Sequence, residues 1–360
     1  MRQNLAKNRS MRTKKHDELL PRGKKVNSGL AKMKVLLTSV GFFFFALVPS
    51  VGCGQAQVLP SPGFHHLHLN SVDPESSIDF YARQFPSTEK VSFFGGPALR
   101  SGKIYILFTR VKAPPPTRPQ TAIWHFGWHV VNVHENLAEY QKRGLKLIPL
   151  YTTDEGDSVF ASSDTWPGAN GSLGRTRIEI AEAKAQGIAP THGAGFAYIE
   201  GPDGAIVEYE GDMPLERFNH VHLFQKDPLC AVLWYRRHLN ARLPPISVPV
   251  KHSESNCQVA RPERSWPSLQ REGMFRLPAG VLFDDVSLAW HVQQSDQPLQ
   301  STRGHLYDHI GLSVVNLDAW VVKLRREKIR FLTKTYKLGN TRAVMIEGPS
   351  QEALELVEVK

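Results

Sequence analysis

The stretch FHHLHLNSVDPESSIDFYARQF (residues 64–85) recurs without gaps as FNHVHLFQKDPLCAVLWYRRHL (residues 218–239). Eight of the 22 positions are identical, far more than chance provides, so the chain contains an internal repeat. Each copy alternates apolar residues with His and then continues through Asp-Pro into apolar residues at helical spacing. This pattern predicts a strand followed by a helix that begins at Asp73-Pro74 or at Asp227-Pro228.

Two further pairs of segments extend the repeat. HFGWHVVNV (125–133) matches HIGLSVVNL (309–317), and GPDGAIVEY (201–209) matches GPSQEALEL (348–356), which aligns Glu208 with Glu355. Short apolar stretches follow each predicted helix, as expected for additional strands. The sequence therefore predicts an α+β protein of four strand–helix–strands units that begin near residues 63, 123, 217 and 307.

The positive charge of the chain is concentrated at its N-terminus. The formal net charge is +10, but residues 1–56 hold 11 of the 44 Lys and Arg and 2 of the 34 Asp and Glu. Residues 57–360 therefore carry 33 positive and 32 negative side chains. A nearly neutral body lacks the basic surface of nucleic-acid-binding proteins, so the sequence argues against a nucleic-acid partner.

Residues 1–56 have the pattern of an N-terminal extension followed by a signal peptide. The uncharged apolar run 35–51 follows Lys32 and Lys34 and leads to the small-x-small segment Gly54–Ala56. We expect cleavage after Ala56, export to the bacterial periplasm or beyond, and no stable membrane span after cleavage, because the run is short for one. A start at Met33 and a lipid anchor at Cys53 are the alternatives.

Two cysteines, Cys230 and Cys257, remain after that cleavage. They either form one disulfide in an oxidising compartment or stay as buried or surface thiols. The sequence contains no P-loop, no GxGxxG after a strand and no CxxC pair. Nucleotide-binding and zinc-ribbon functions therefore have no support.

The four units, with His on the first strand and a terminal GPDGxxVE, resemble the vicinal-oxygen-chelate superfamily of glyoxalase I, fosfomycin-resistance proteins and type I extradiol dioxygenases. The resemblance covers residues 63–360. It implies βαβββ units paired into two half-barrel modules, here 57–215 and 216–360. It also implies a divalent metal ion on the inner face and a small-molecule substrate bound through two adjacent oxygens.

Two imidazoles and one carboxylate make a three-point metal site that leaves coordination positions open. The same three residue types recur at the same three places of the repeat, which favours metal ligands over ordinary core residues. Iron, manganese, nickel and zinc all suit such ligands. The candidates are His66, His125 and Glu208 in the first module and His220, His309 and Glu355 in the second.

A fourth ligand position distinguishes members of the superfamily. Sites that resemble glyoxalase I add a carboxylate from the last strand of the first unit. Counting back 18 residues from His125 and from His309 gives Leu107 and His291. The first module thus resembles a three-ligand site, whereas His291 is a candidate fourth ligand or acid–base group in the second.

Extradiol enzymes commonly carry an acid–base Tyr on the strand before the terminal Glu. Tyr198, ten residues before Glu208, resembles that group, and Met345 stands at the matching distance from Glu355. The first module also carries an insertion at about 150–190, either a lid or a surface loop with a dimer contact. These features favour the first module as the active centre, although a packed strand tyrosine is the alternative for Tyr198.

The sequence leaves three functions open. A dioxygenase-like enzyme is favoured over a glyoxalase-type lyase or isomerase, because the first module resembles a three-ligand site. The alternative from another class is a protein that sequesters a small ligand in the same cup without turnover. A homodimer is compatible with the sequence.

Overall fold

A computed structural model describes residues 59–116, 120–148, 151–153, 159–161, 185–187, 196–211, 213–245, 253–258, 279–293 and 297–360. These residues belong to one compact unit, Ala56–Lys360. The predicted signal peptide, Cys53 and most of the 150–190 insertion lie outside the described residues. None of the helices among the described residues has the length and hydrophobicity of a membrane-spanning segment.

The secondary structure follows the four predicted units. Unit 1 contains β1 (Gly63–Ser71), α1 (Pro74–Gln84), β2 (Glu89–Phe93), β3 (Gly96–Ser101) and β4 (Ile104–Arg110). Unit 2 contains β5 (Ile123–His129), α2 (Val133–Lys142), β6 (Leu147–Ile148), β7 (Tyr151–Thr153), β8 (Val159–Ala161), β9 (Phe196–Glu200) and β10 (Ile206–Glu210). Unit 3 contains β11 (Arg217–Gln225), α3 (Pro228–Leu239), β12 (Ala279–Phe283) and β13 (Val286–Val292). Unit 4 contains β14 (Tyr307–Val314), α4 (Leu317–Arg326), β15 (Tyr336–Leu338), β16 (Thr341–Glu347) and β17 (Ala353–Glu358).

Both repeated helices begin where the Asp-Pro pairs predict. Pro occupies the first turn of α1 and of α3, where its missing N–H leaves no hydrogen bond unmade. The Asp73 carboxylate also accepts a hydrogen bond from the backbone N–H of Ser76 at 3.3 Å, which caps α1.

The strands form two curled mixed sheets, which confirms the predicted α+β class and half-barrel architecture. The eight-stranded sheet has the order β15-β16-β17-β14-β1-β4-β3-β2, and the seven-stranded sheet has the order β12-β13-β11-β5-β10-β9-β6. β7 and β8 pair separately. Unit 1 therefore shares a sheet with unit 4, and unit 2 shares a sheet with unit 3.

This pairing differs from the predicted modules 57–215 and 216–360, which joined units that are adjacent in sequence. The two central joints are antiparallel pairs of first strands, β1 with β14 and β11 with β5. All four units present the same kind of first strand. Pairing unit 1 with unit 2 or with unit 4 therefore buries an equivalent edge of that strand. The repeat alone therefore identifies the strands but does not determine their partners.

Aromatic side chains connect the two sheets through one continuous core. Phe218 lies 5.7 Å from Phe64 and 6.1 Å from Phe126 between ring centroids, and Phe126 lies 5.8 Å from Tyr307. The Tyr307 hydroxyl also accepts a hydrogen bond from the backbone N–H of Ile206 at 2.8 Å. These contacts pack the two central joints against each other.

Cys230 and Cys257 form a disulfide, with their Cα atoms 5.0 Å apart. The bond ties α3 to the loop that contains residues 253–258 and closes a segment with a sequence separation of 27. It settles the choice between a disulfide and free thiols that the sequence left open.

Glu352 is a buried carboxyl that joins unit 4 to unit 3. It accepts hydrogen bonds from the Tyr235 hydroxyl at 2.6 Å and from the backbone N–H of Ser350 at 2.7 Å. Burial raises its pKa to about 7, because these hydrogen bonds offset only part of the lost hydration.

We predict that Glu352 makes the stability of the fold fall as the pH rises. The folded protein holds the proton up to a pKa of about 7, whereas an unfolded carboxyl loses it near its model value of 4.5. The contribution is complete below pH 4.5 and is lost as the pH rises through 7, by roughly 3 kcal/mol in all. Urea unfolding of wild type and Glu352→Gln from pH 4.5 to pH 8 should show wild type losing stability relative to the variant. Parallel profiles would contradict the assignment.

Candidate metal centres

The first candidate centre, here called the His309 site, consists of His66, His309 and Glu355. The His66 Nε2 atom lies 3.2 Å from His309 Nε2 and 3.4 Å from Glu355 Oε2, and the His309 and Glu355 atoms are 3.9 Å apart. All three residues are almost completely buried. They lie on three adjacent strands, β1, β14 and β17.

The second candidate centre, here called the His220 site, consists of His125, Glu208 and His220. Glu208 Oε2 lies 2.6 Å from His125 Nε2 and 3.2 Å from His220 Nε2. These residues are also buried and lie on the adjacent strands β5, β10 and β11. The two sites are therefore related by the repeat, with one at each central joint.

The spacing of the donor atoms fits a single divalent ion at each site. An ion about 2.1 Å from each donor separates neighbouring donors by about 3.0 to 3.4 Å at octahedral or tetrahedral angles. The shortest separations at the His309 site, 3.2 and 3.4 Å, match this range. At the His220 site the 3.2 Å separation also matches, and the 2.6 Å separation is a hydrogen bond that an ion would replace.

A glycine in the middle of each site makes room for a ligand ring. In the strand register, Gly311 pairs with both His66 and Glu355, and Gly127 pairs with both His220 and Glu208. A Cβ atom at Gly311 would lie 2.0 Å from His66 Nδ1, and one at Gly127 would lie 2.5 Å from His220 Nε2. The His-x-Gly pattern shared by units 2 and 4 therefore belongs to the site.

Neighbouring polar groups orient three of the four ligand imidazoles. The residue before each ligand contacts its Nδ1 atom: His65 at His66 (2.7 Å), Asn219 at His220 (3.0 Å) and Asp308 at His309 (2.6 Å). Engaging Nδ1 in this way leaves Nε2 directed at the centre. The fourth, His125, follows Trp124, and its Nδ1 atom has no hydrogen-bond partner in the described part of the chain.

The His309 site has additional charged and polar neighbours. The Arg303 guanidinium donates to the Asp308 carboxylate and lies 3.1 Å from His309 Nδ1, and the Tyr336 hydroxyl donates to Glu355 Oε1. Burial acts to raise the pKa of Asp308, but interactions with His309, the Gly304 amide and Arg303 outweigh this effect. The net result is a pKa lowered to about 2. Asp308 is therefore an anion at neutral pH and holds the His309 ring.

Burial keeps several of the imidazoles neutral, which is the form that binds metal. It lowers the pKa of His125 to about 4 and that of His66 well below 6.5, where His309 adds a further decrease. The pKa of His220 is raised instead, because attraction to Glu208 outweighs the opposite effect of burial. The pKa of Glu208 lies well below 4.5 because His220 and His125 together outweigh the effect of burial.

The structure corrects the grouping of the predicted ligands. His66, His125 and Glu208 were expected in one site and His220, His309 and Glu355 in the other, as sequence order suggested. All six converge on two centres, but His66 and His220 exchange places, because β1 pairs with β14 and β11 pairs with β5. That these residues hold metal stays a prediction.

Tyr198 and His291, the predicted acid–base residues, both lie at the His220 site. The Tyr198 hydroxyl donates to Glu208 Oε2 at 2.8 Å from the neighbouring strand β9. The His291 ring is 4.9 Å from the His222 ring, and burial lowers its pKa to about 3. His291 was expected near His309, and the pairing of β13 with β11 places it here instead.

Leu107 and His291 are not equivalent, although both stand 18 residues before a ligand His. Leu107 pairs with His68 on β1, whereas the equivalent residue His222 pairs with Ala289. The structural counterpart of Leu107 is therefore Ala289, and the counterpart of His291 is Thr109. The connection from β13 to β14 is two residues longer than that from β4 to β5, so a fixed count fails.

A cavity of about 410 Å³ lies at the His309 site. His309 and Glu355 are in its wall, together with Asp308 and Arg303. The remaining wall is largely apolar, and its lining includes Phe93, Leu107, Phe108 and Met345. A volume of this size accepts a small molecule, and the few polar groups converge at the ligand histidine.

Sequence reasoning missed Asp308, Tyr336 and the two glycines. The sequence did contain a signal for three of them. Asp308 directly precedes the ligand His309, and Gly127 and Gly311 each stand two residues after a ligand histidine. Tyr336 carried none, since it lies on the short strand β15 outside the matched segments.

Two curled sheets of paired repeat units, with a His–His–Glu group at each central joint, define the vicinal-oxygen-chelate fold that the sequence resemblance implied. Comparison with solved structures supports this assignment. The chain matches glyoxalase I from Zea mays with 12% identity and a TM-score of 0.50, over 83% of this chain and 92% of that one. A variant of the same maize enzyme matches at a TM-score of 0.51, with 12% identity and coverage of 83% and 94%.

A putative dioxygenase from Bacillus subtilis is also similar, with 9% identity, a TM-score of 0.47 and coverage of 83% of this chain and 86% of that one. The matches to the maize enzyme show a shared fold and, at identities this low, nothing finer. No family model matches the sequence, and no curated protein matches it.

Proposed function

We propose that the chain is an exported metal-dependent enzyme that binds a small substrate through two adjacent oxygens, with a dioxygenase-like reaction at the His309 site. The observation that carries the proposal is the cavity of about 410 Å³ with His309 and Glu355 in its wall. A divalent ion bound by two imidazoles and a carboxylate supplies Lewis acidity and open coordination positions.

The residues around the cavity have separable tasks. Asp308 holds the His309 ring through Nδ1, and Tyr336 holds one oxygen of Glu355, so both ligands are fixed before substrate arrives. Arg303 adds a positive charge beside His309, suited to an anionic substrate oxygen. Phe93, Leu107 and Phe108 supply apolar surface that excludes water from the bound substrate.

A three-ligand site favours dioxygenase-like chemistry over a glyoxalase-type lyase. Leu107 lies in the cavity wall on β4, the strand from which the superfamily resemblance implies a fourth carboxylate. An apolar side chain there leaves three protein ligands and more open positions. Tyr198 and His291 lie at the other site, and their acid–base roles stay predictions.

The disulfide supports export, because such bonds persist mainly in oxidising compartments. Mass spectrometry of the exported protein should give an N-terminus near Gln57. An intact Met1 on the exported protein would contradict the proposed signal peptide.

The activity test uses purified protein reconstituted anaerobically with iron(II), and separately with manganese, nickel and zinc. We expect oxygen uptake with at least one member of a panel of substituted catechols, lost in His309→Ala and kept in His125→Ala. Isomerisation of the hemithioacetal of methylglyoxal and glutathione, without oxygen uptake, would instead identify a lyase. Tight ligand binding without turnover would identify a sequestering protein, and less than about a tenth of an equivalent of bound metal would overturn the enzyme proposal.

A further inference from the structure

The repeat places a second histidine two residues after a ligand in both β1 and β11, and the two copies differ. His68 follows His66, and its Nε2 atom is hydrogen-bonded to the Thr109 hydroxyl at 2.7 Å. In the strand register Thr109 is opposite Asn70, and the equivalent place opposite Phe224 is occupied by His291. His222, the counterpart of His68, therefore has no hydroxyl at that position of the neighbouring strand.

The His222 ring faces the His220 site. Its Nδ1 atom lies 3.6 Å from Glu208 Oε2, is buried, and has no hydrogen-bond partner in the described residues. The ring stacks on His220 with centroids 4.5 Å apart and meets the edge of His125 at 4.6 Å. One donor atom from each of His125, Glu208, His220 and His222 lies within 4.8 Å of the other three.

The His309 site has no equivalent group of four. Among the described residues, His66, His68 and His309 form one group within the same distance, and Glu355 lies 3.4 Å from His66 and 3.9 Å from His309, but the four donors do not come together in one group. The Thr109 contact also engages the His68 ring on one side. The two sites thus share three ligand types and differ in the fourth donor.

We infer that His222 is a fourth protein ligand, which makes the His220 site a closed His₃Glu centre for a four-coordinate ion such as zinc. This inference rests on the metal binding in the proposed function and adds a division of labour to it. Sites with four protein ligands hold an ion for structural purposes, whereas catalytic sites keep positions open for substrate. Substrate would accordingly bind at the His309 site.

The first test compares His222→Ala with the matched variant His68→Ala. Zinc affinities are measured by competition with a chromophoric chelator, in backgrounds where only one site is loaded: His309→Ala for the His220 site and His125→Ala for the His309 site. Loss of His222 should weaken zinc at the His220 site by roughly 100-fold or more, since even groups behind the ligands contribute about 10- to 100-fold. Loss of His68 should change the other site less than about threefold.

The second test needs no change at His222 and so does not depend on that variant folding. X-ray absorption of His309→Ala loaded with one equivalent of zinc counts the imidazoles around the ion. Three imidazoles are expected, and two would overturn the inference, as would an unchanged zinc affinity in His222→Ala. Wild-type protein that binds no metal would overturn the proposed function as well, so the two failures are distinguishable.

Discussion

Gly311→Ala is expected to remove metal from the His309 site and to leave the His220 site loaded. The new Cβ atom would lie 2.0 Å from His66 Nδ1 and 2.1 Å from His66 Cε1, far inside van der Waals contact. The ring has little room to move, because it is completely buried and its Nδ1 atom also contacts His65. His66 must therefore leave its place beside Glu355, and the metal content should fall from two equivalents to one.

Two matched variants separate this effect from the general cost of changing a strand glycine. Gly127→Ala places Cβ 2.5 Å from His220 and should empty the other site, leaving the His309 site loaded. Gly280→Ala lies in β12, where the nearest atom is a carbonyl oxygen at 3.2 Å, and should keep both equivalents. Elemental analysis after dialysis provides the counts. Two tightly bound equivalents in Gly311→Ala would show that the glycine does not position the ligand.

Glu355→Ala is expected to cause the largest loss of activity. It removes the only anionic ligand of the His309 site and the acceptor of the Tyr336 hydroxyl, so turnover should fall at least about 1,000-fold and metal affinity about 100-fold or more. Glu208→Ala is the matched variant, because it makes the same change at the other site and should empty that site while turnover persists.

A milder variant separates the contribution of the Glu355 carboxylate from that of the Tyr336 hydroxyl. Tyr336→Phe removes the donor to Oε1 and keeps the carboxylate, so metal affinity should fall by only about 10-fold. Stopped-flow oxygen uptake and metal titration of the three variants measure both effects. Equal turnover in Glu355→Ala and wild type would place the reaction elsewhere.

The repeat was sufficient to predict the four strand–helix–strands units and the six candidate ligands, whereas the half-barrel architecture was implied by the family resemblance. Matching residues in the aligned segments identified His66 with His220, His125 with His309 and Glu208 with Glu355 before any coordinates were considered. The inference works because each unit is one supersecondary motif, with a donor His on every first strand and a donor Glu on the last strand of units 2 and 4.

The same symmetry explains why the grouping of those ligands was not predictable. Units 1, 2, 3 and 4 offer interchangeable first strands, so hydrogen bonding and burial at the joint are similar for either choice of partner. The choice depends on long-range packing between the sheets, including Phe64, Phe126 and Phe218, which local patterns do not encode.

The differences between the two sites were even harder to predict from the sequence. His68 and His222 differ in the residue that lies two positions beyond their register partner on the next strand, which is Thr109 in one unit and His291 in the other. A fixed residue count could not match Thr109 with His291, because the connection from β13 to β14 is two residues longer than that from β4 to β5.

Each candidate metal centre joins two units that share a sheet, units 1 and 4 at the His309 site and units 2 and 3 at the His220 site. Double variants show directly which residues serve the same ion. Wild type should bind two equivalents of divalent metal after reconstitution and dialysis. His66→Ala, His309→Ala and the double variant of both should each retain one equivalent, because the two residues serve the same ion. The double variant His66→Ala/His125→Ala should retain none. One retained equivalent in that protein, together with none in His66→Ala/His309→Ala, would contradict the observed pairing of the strands.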